Sequence, residues 1–135
     1  MRWSFLCCIV SLWWTGYAQN NDFEKAEKAF RNQQYDSATY YINASILYFR
    51  RIQHDDSLTF AYVQKANMIW RQEGNRPALR TVDEALEIAS RLSYYSVARI
   101  AALNQKAQIL VHNAEAKKAK GYFMQALERI PDDAK

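Results

Sequence analysis

The sequence predicts an all-α fold: a right-handed α-solenoid of three tandem helix-turn-helix repeats, each of about 40 residues. Three observations carry this expectation. Apolar residues recur three or four apart, as in Ala61, Val63, Ala66, Ile69 and Trp70, or Val82, Ala85, Leu86 and Ala89. That is the spacing of one helix face, and no run of alternating β-branched residues competes with it. Beyond residue 18 the helix breakers thin out to Gly74, Gly121, Pro77 and Pro131. Finally, QKANMIW at 64–70 returns as QKAQILV at 105–111, an offset of 41.

The first eighteen residues are read apart from the rest. Arg2 gives a positive start, residues 3–14 are apolar except for Ser4 and Ser11, and Thr15, Gly16, Tyr17 and Ala18 place small residues before a cut after Ala18. This is the layout of a secretory signal peptide. An apolar run of twelve falls short of the roughly 20 residues a helix needs to cross a bilayer. No small-residue box precedes Cys7, which disfavours a lipid anchor. The expected address is therefore export, periplasmic or secreted in a bacterium, with no stable membrane span after cleavage.

Cleavage would remove Cys7 and Cys8 together, leaving an exported chain that cannot use disulfides and must rely on its core. Residues 19–135 suffice for one domain with such a core. Losing Arg2 lowers the net charge from +4 to +3, that is, 17 Lys and Arg against 14 Asp and Glu. A mild, dispersed excess suits solubility and argues against nucleic acid as the partner.

The repeat is supported by several columns at one register. Offsets of 40 and then 41 align Ala26 with Ala66 and Ala107, Ala38 with Ala78 and Ala119, and Ser45 with Ala85 and Ala126. They also align Ile42 with Val82 and Phe123, and Ile46 with Leu86 and Leu127. The repeats are placed at 19–58, 59–99 and 100–135. The first turns at 33–36. In the second, Asp56 or Ser57 caps a helix reaching about Glu73, and Gly74 supplies a left-handed stop. Pro77 then falls in the first turn of a helix reaching about Leu92, and 93–96 form the next joint. The third repeat turns near Asn113. The small columns mark the places where two helices approach closely, which bulky side chains would prevent.

Small residues late in the first helix, small residues seven apart in the second, and Pro131 after the third resemble the tetratricopeptide repeat family. The matching stretches are QKANMIW with PALRTVDEALEI, and NQKAQILV with KKAKGYFMQALERIP; EKAEKAF with YDSATYYINASI is the weakest copy. The repeats are longer than the family's commonest length, and lysine stands where its usual glycine precedes the first small residue. The resemblance implies a concave groove lined by the first helices, binding a protein or peptide. Carried over by position, it implies three columns: Glu27, Asn67 and Gln108; Phe30, Trp70 and Val111; Arg31, Arg71 and His112. Amides beside aromatics and bases suit a peptide backbone with acidic or carboxylate groups. The plainer reading puts Phe30, Trp70 and Val111 in the core and the basic column on a solvated face. Exported arrays of this kind also resemble the sensory front ends of bacterial membrane-bound kinases and transcription regulators, which would make the chain a detached segment.

Little in the sequence suggests an enzyme, and no cofactor or metal is implied. A phosphate-binding glycine loop, a Cys–His pair and a serine in a nucleophile elbow are all missing from it. His54, Asp55 and Asp56 read as a turn with a capping residue rather than a metal site. Asn43-Ala44-Ser45 matches a glycosylation sequon but falls inside a predicted helix. Lys117, Lys118 and Lys120 read as a solvated face. No clear capping helix follows Ile130, so the far end is expected either to continue in further repeats or to self-associate.

Overall fold

A computed structural model describes residues 21–132; the leader reading at 1–18 lies outside the described residues. Within them the chain forms six helices and no strand: α1 (Asn21–Arg31), α2 (Tyr35–Arg51), α3 (Asp55–Glu73), α4 (Asn75–Ala89), α5 (Val97–His112) and α6 (Ala116–Glu128). The all-α expectation holds. The chain divides into two compact units, Met1–Ser45 and Ile46–Lys135, with the boundary inside α2.

In the first unit α1 and the start of α2 bury small residues: Ala26 and Ala29 on one, Ala38, Ile42 and Ser45 on the other. Small side chains let the two backbones come close. The Lys25 ammonium sits 5.4 Å from the centre of the Tyr41 ring. Phe30 meets Tyr35 edge-on at 6.0 Å across the turn. Ser45, which stands where the other copies carry alanine, satisfies its hydroxyl by donating to the Tyr41 carbonyl at 3.0 Å. Being buried within α2, it leaves the sequon at Asn43 in a helix rather than in a loop.

The second unit holds the end of α2 and the four following helices. α3 packs on α4, α5 packs on α6, and α5 also packs on both α3 and α4. At the centre of this packing Ala66, Ala78, Val82 and Ile109 are fully buried, flanked by Ile69, Trp70 and Leu79. The small columns behave alike: Ala26, Ala66 and Ala107 are wholly buried, as are Ala38, Ala78 and, within 1%, Ala119.

Three turns share one device. Gln33, Gln53 and Ala114 take positive φ of 60°, 55° and 59°. Each time the next residue's N–H reaches back five positions to a helix carbonyl: Gln34 to Ala29, His54 to Phe49, Glu115 to Leu110. This left-handed cap closes a helix by satisfying its last carbonyls. Gly74 ends α3 differently. Its φ is 95° as expected for a glycine stop, but its ψ of −169° is extended rather than left-handed helical. That region is open essentially to glycine alone. A Cβ at Gly74 would meet nothing within 4 Å, so replacement is opposed by backbone conformation rather than by packing. Gly74→Ala is expected to cost about 1–3 kcal/mol, whereas Ala114→Gly should stabilise by about 1 kcal/mol. Urea denaturation of both variants checks the pair.

Two boundaries differ from expectation. α3 is capped by His54, whose Nδ1 accepts from the Ser57 N–H at 3.3 Å, and not by Asp56 or Ser57. The aspartates are engaged elsewhere: Asp55 by Arg91, and Asp56 by the Ser96 hydroxyl at 3.0 Å. α4 ends at Ala89 rather than Leu92, because the chain tightens there into shorter bonds, Arg91 N–H to Ile88 and Leu92 N–H to Ala89.

Candidate functional site

Of the nine expected groove residues, six lie in the second unit on α3 and α5, which pack together. Asn67 and Trp70 are half-buried, whereas Arg71, Gln108, Val111 and His112 are exposed. The other three sit on α1 in the first unit: Glu27 and Phe30 half-buried, Arg31 exposed.

Trp70 combines the two readings of its column. One flank of its ring packs on the Ala66, Ala78, Val82 and Ile109 cluster, yet the residue is not fully covered. Its far edge meets the His112 ring at 4.9 Å with the planes 67° apart. The indole N–H donates to Asn75 Oδ1 at 2.7 Å. Because the indole can only donate, the Asn75 amide orientation is fixed, and its NH₂ points away from Trp70. That NH₂ donates to the His112 carbonyl at 3.3 Å and to Asn113 Oδ1 at 3.4 Å. One amide thus ties the end of α3 to the end of α5. Asn75 was not singled out in the sequence, because its partners lie 5, 37 and 38 residues away. Asn75→Ala strands the indole N–H and is expected to cost about 1–3 kcal/mol. It should also shift Trp70 emission to the red, which fluorescence during unfolding would register.

A second concavity of about 650 Å³ opens where the last turn of α2 meets α3 and α4. Tyr62, buried on α3, accepts from Arg50 Nη2 at 2.5 Å and hydrogen-bonds Glu84. Across the same hollow Arg91 grips Asp55 with two bonds, Nε to Oδ2 at 3.0 Å and Nη2 to Oδ1 at 3.1 Å. Asp55, the first residue of α3, and Arg91, just past the end of α4, are 36 residues apart in sequence. These charges hold one another across three helices, so the hollow is a fastening more than an open receptor. Its tyrosine drew no role in the sequence because none of its partners is local.

Burial pushes the Tyr62 phenol above its ordinary value, with Glu84 adding to the rise and Arg50 opposing it. Lys106 is also raised: burial pulls its ammonium down, but bonds to Asp83 at 2.6 Å and to Tyr122 more than offset this. Both groups hold their protons more tightly when folded. Their contribution is complete below the ordinary values of about 10 and is lost as pH rises through the raised ones. Stability is therefore expected to fall above about pH 10. Denaturation curves at stepped alkaline pH should show a smaller loss for Tyr62→Phe.

The remaining sequence candidates have structural roles. His54, Asp55 and Asp56 are engaged as described above, and no group of three potential metal ligands occurs among the described residues. Lys117, Lys118 and Lys120 are exposed, with Lys118 bonded to Glu115. Arg129, nearly buried, lies 4.4 Å from the Tyr94 ring centre and donates to the Gln125 carbonyl at 2.6 Å. No helix among the described residues is long and apolar enough to cross a membrane. No family model, curated protein or solved structure matches this chain.

Proposed function

We propose that the chain is an exported helical-repeat scaffold, a right-handed α-solenoid of three repeats of the tetratricopeptide type that binds a protein or peptide partner. The recognition surface is formed by Asn67, Trp70 and Arg71 of α3 with Gln108, Val111 and His112 of α5, and it favours peptides with acidic or carboxylate groups. The supporting observation is Trp70 itself. Asn75 fixes its indole at 2.7 Å, one flank packs on the core, and the exposed His112 ring lies 4.9 Å away, with exposed Arg71 next along α3. A rigid aromatic flanked by bases and an amide loses little entropy on binding, which is how such anchors gain affinity.

Calorimetry with acidic peptides, each made with a free and an amidated C-terminus, tests the reading. The expected result is tighter binding of the free-acid form, weakened about tenfold or more in Asn67→Ala/Arg71→Ala. Affinity unchanged in that double variant would show that the partner binds elsewhere.

A further inference from the structure

The two bulky columns of the second helices lose their cover at α6. Ile42 and Val82 are at most 1% exposed, but Phe123 in the same column is 38% exposed. Ile46 is 5% exposed and Leu86 half-buried, but Leu127 is 49% exposed. Together with Val97, Ile100 and Ile130 these residues line an apolar hollow of about 510 Å³ between α5 and α6. Forty-one residues earlier, the positions of Ile100, Phe123, Ala126 and Ile130 are Thr59, Val82, Ala85 and Ala89, all wholly buried. Val82 among them shares one buried cluster with Ile109 of α5. The same kind of surface is thus covered by a helix on one hairpin and, among the described residues, bare on the next.

From this we infer that the α5–α6 face pairs with the same face of a second copy of the chain, in a closed twofold dimer. Two features select this occupant. The hollow is lined by no charged residue, and its single polar side chain is the exposed Asn104. An amide both donates and accepts, so Asn104 can pair with its own copy across a twofold axis. An uncharged apolar face is likewise its own complement, as a twofold interface requires. Met124, 48% exposed on the same helix, adds an adaptable side chain.

Head-to-tail stacking on this face is disfavoured by the residue types of α1. Where Ile109 enters the core cluster, the position 81 residues earlier on α1 is Lys28, and Lys106 corresponds to Lys25. A lysine is already accommodated at the Lys106 position by Asp83, but the exposed Lys28 in place of Ile109 would bring a new charge into the apolar hollow. The self-paired face therefore closes at two copies instead of growing into a filament. It shares none of the residues proposed to bind peptide.

Sedimentation velocity of the full chain over a concentration series up to about 100 µM tests this. A dimer is expected. Leu127→Lys, at an exposed position, should raise its dissociation constant at least about hundredfold, since the twofold buries two new charges. Asn104→Asp should weaken it about tenfold at neutral pH and recover below about pH 4, when the facing carboxyls protonate. Circular dichroism of both variants should match the parent. A parent that stays monomeric throughout the series overturns the inference, as does association unaffected by Leu127→Lys. So does a monomer that instead captures a synthetic peptide of residues 96–113 in a Leu127-dependent way, because the face would then serve a foreign helix.

Discussion

Ile109→Ala is expected to lower the unfolding free energy by about 2–5 kcal/mol, the largest loss among the substitutions considered. Ile109 is among the largest side chains with no exposure, and it projects from α5 into a cluster built by Ala66 of α3 with Ala78 and Val82 of α4. Truncation forfeits the burial of three carbons and leaves a void that rigid helix backbones close only in part. The upper part of that range applies if α3, α4 and α5 hold their positions, and the lower part if they collapse inward. Equilibrium urea unfolding followed by Trp70 fluorescence reads the change where it occurs, since Trp70 packs on the same cluster. A loss below about 1 kcal/mol would mean that α5 does not depend on this contact.

The opposite change at the same place is nearly as costly. Ala66→Leu should destabilise by about 1–3 kcal/mol or more, because Ala66 has no exposed surface and sits where α3 crosses α4. The added carbons can fit only by spreading the two helices, which opens gaps around Val82 and Ile109. Ala107→Leu, at the equivalent point on α5, should cost a similar amount, since Ala107 is equally buried. Leucine at the exposed Ala116 should change stability by no more than about 0.5 kcal/mol. Thermal unfolding of the three variants checks the order. Equal penalties at Ala66 and Ala116 would remove the packing explanation of the small columns.

These columns show why so much of the helical framework was legible from residue types. An alanine such as Ala66, Ala78 or Ala107 is burdened by little else than packing, so its recurrence at 40 and 41 residues reports helix crossings directly. Turns were legible where one residue type is obligatory, as at Gly74. At 33–36 and near Asn113 the turns were placed by the repeat register, but the positive φ of Gln33, Gln53 and Ala114, adopted without glycine, left no mark in the sequence. The cap of α3, expected at Asp56 or Ser57 and found at His54, was misplaced by two or three positions for a different reason. Aspartate is a good cap in isolation, but here Arg91 and Ser96 draw Asp55 and Asp56 into contacts 36 and 40 residues away.

The proposed recognition surface was legible only as positions. The family resemblance, carried over column by column, pointed to Trp70 and His112, but not to their approach at 4.9 Å or to Asn75, which holds both. Arg50, Tyr62 and Glu84 were invisible because their link joins three helices through side chains whose types are ordinary for a surface. Exposure of Phe123 and Leu127 was equally hidden, since the residues aligned with them, Ile42 and Val82, Ile46 and Leu86, are buried or half-buried. Periodicity reports which face a residue is on, and only the packing reports whether anything covers that face.

α5 is seated on α3 and α4, and that seating brings Trp70 to His112. A double-mutant cycle between Val82→Ala and Ile109→Ala, read by urea unfolding, tests it most directly. Residues in contact are expected to couple, so the double variant should lose less than the sum of the singles, by about 0.5–3 kcal/mol. Additivity within about 0.3 kcal/mol would contradict the seating, because it would mean that these two fully buried side chains do not share a core.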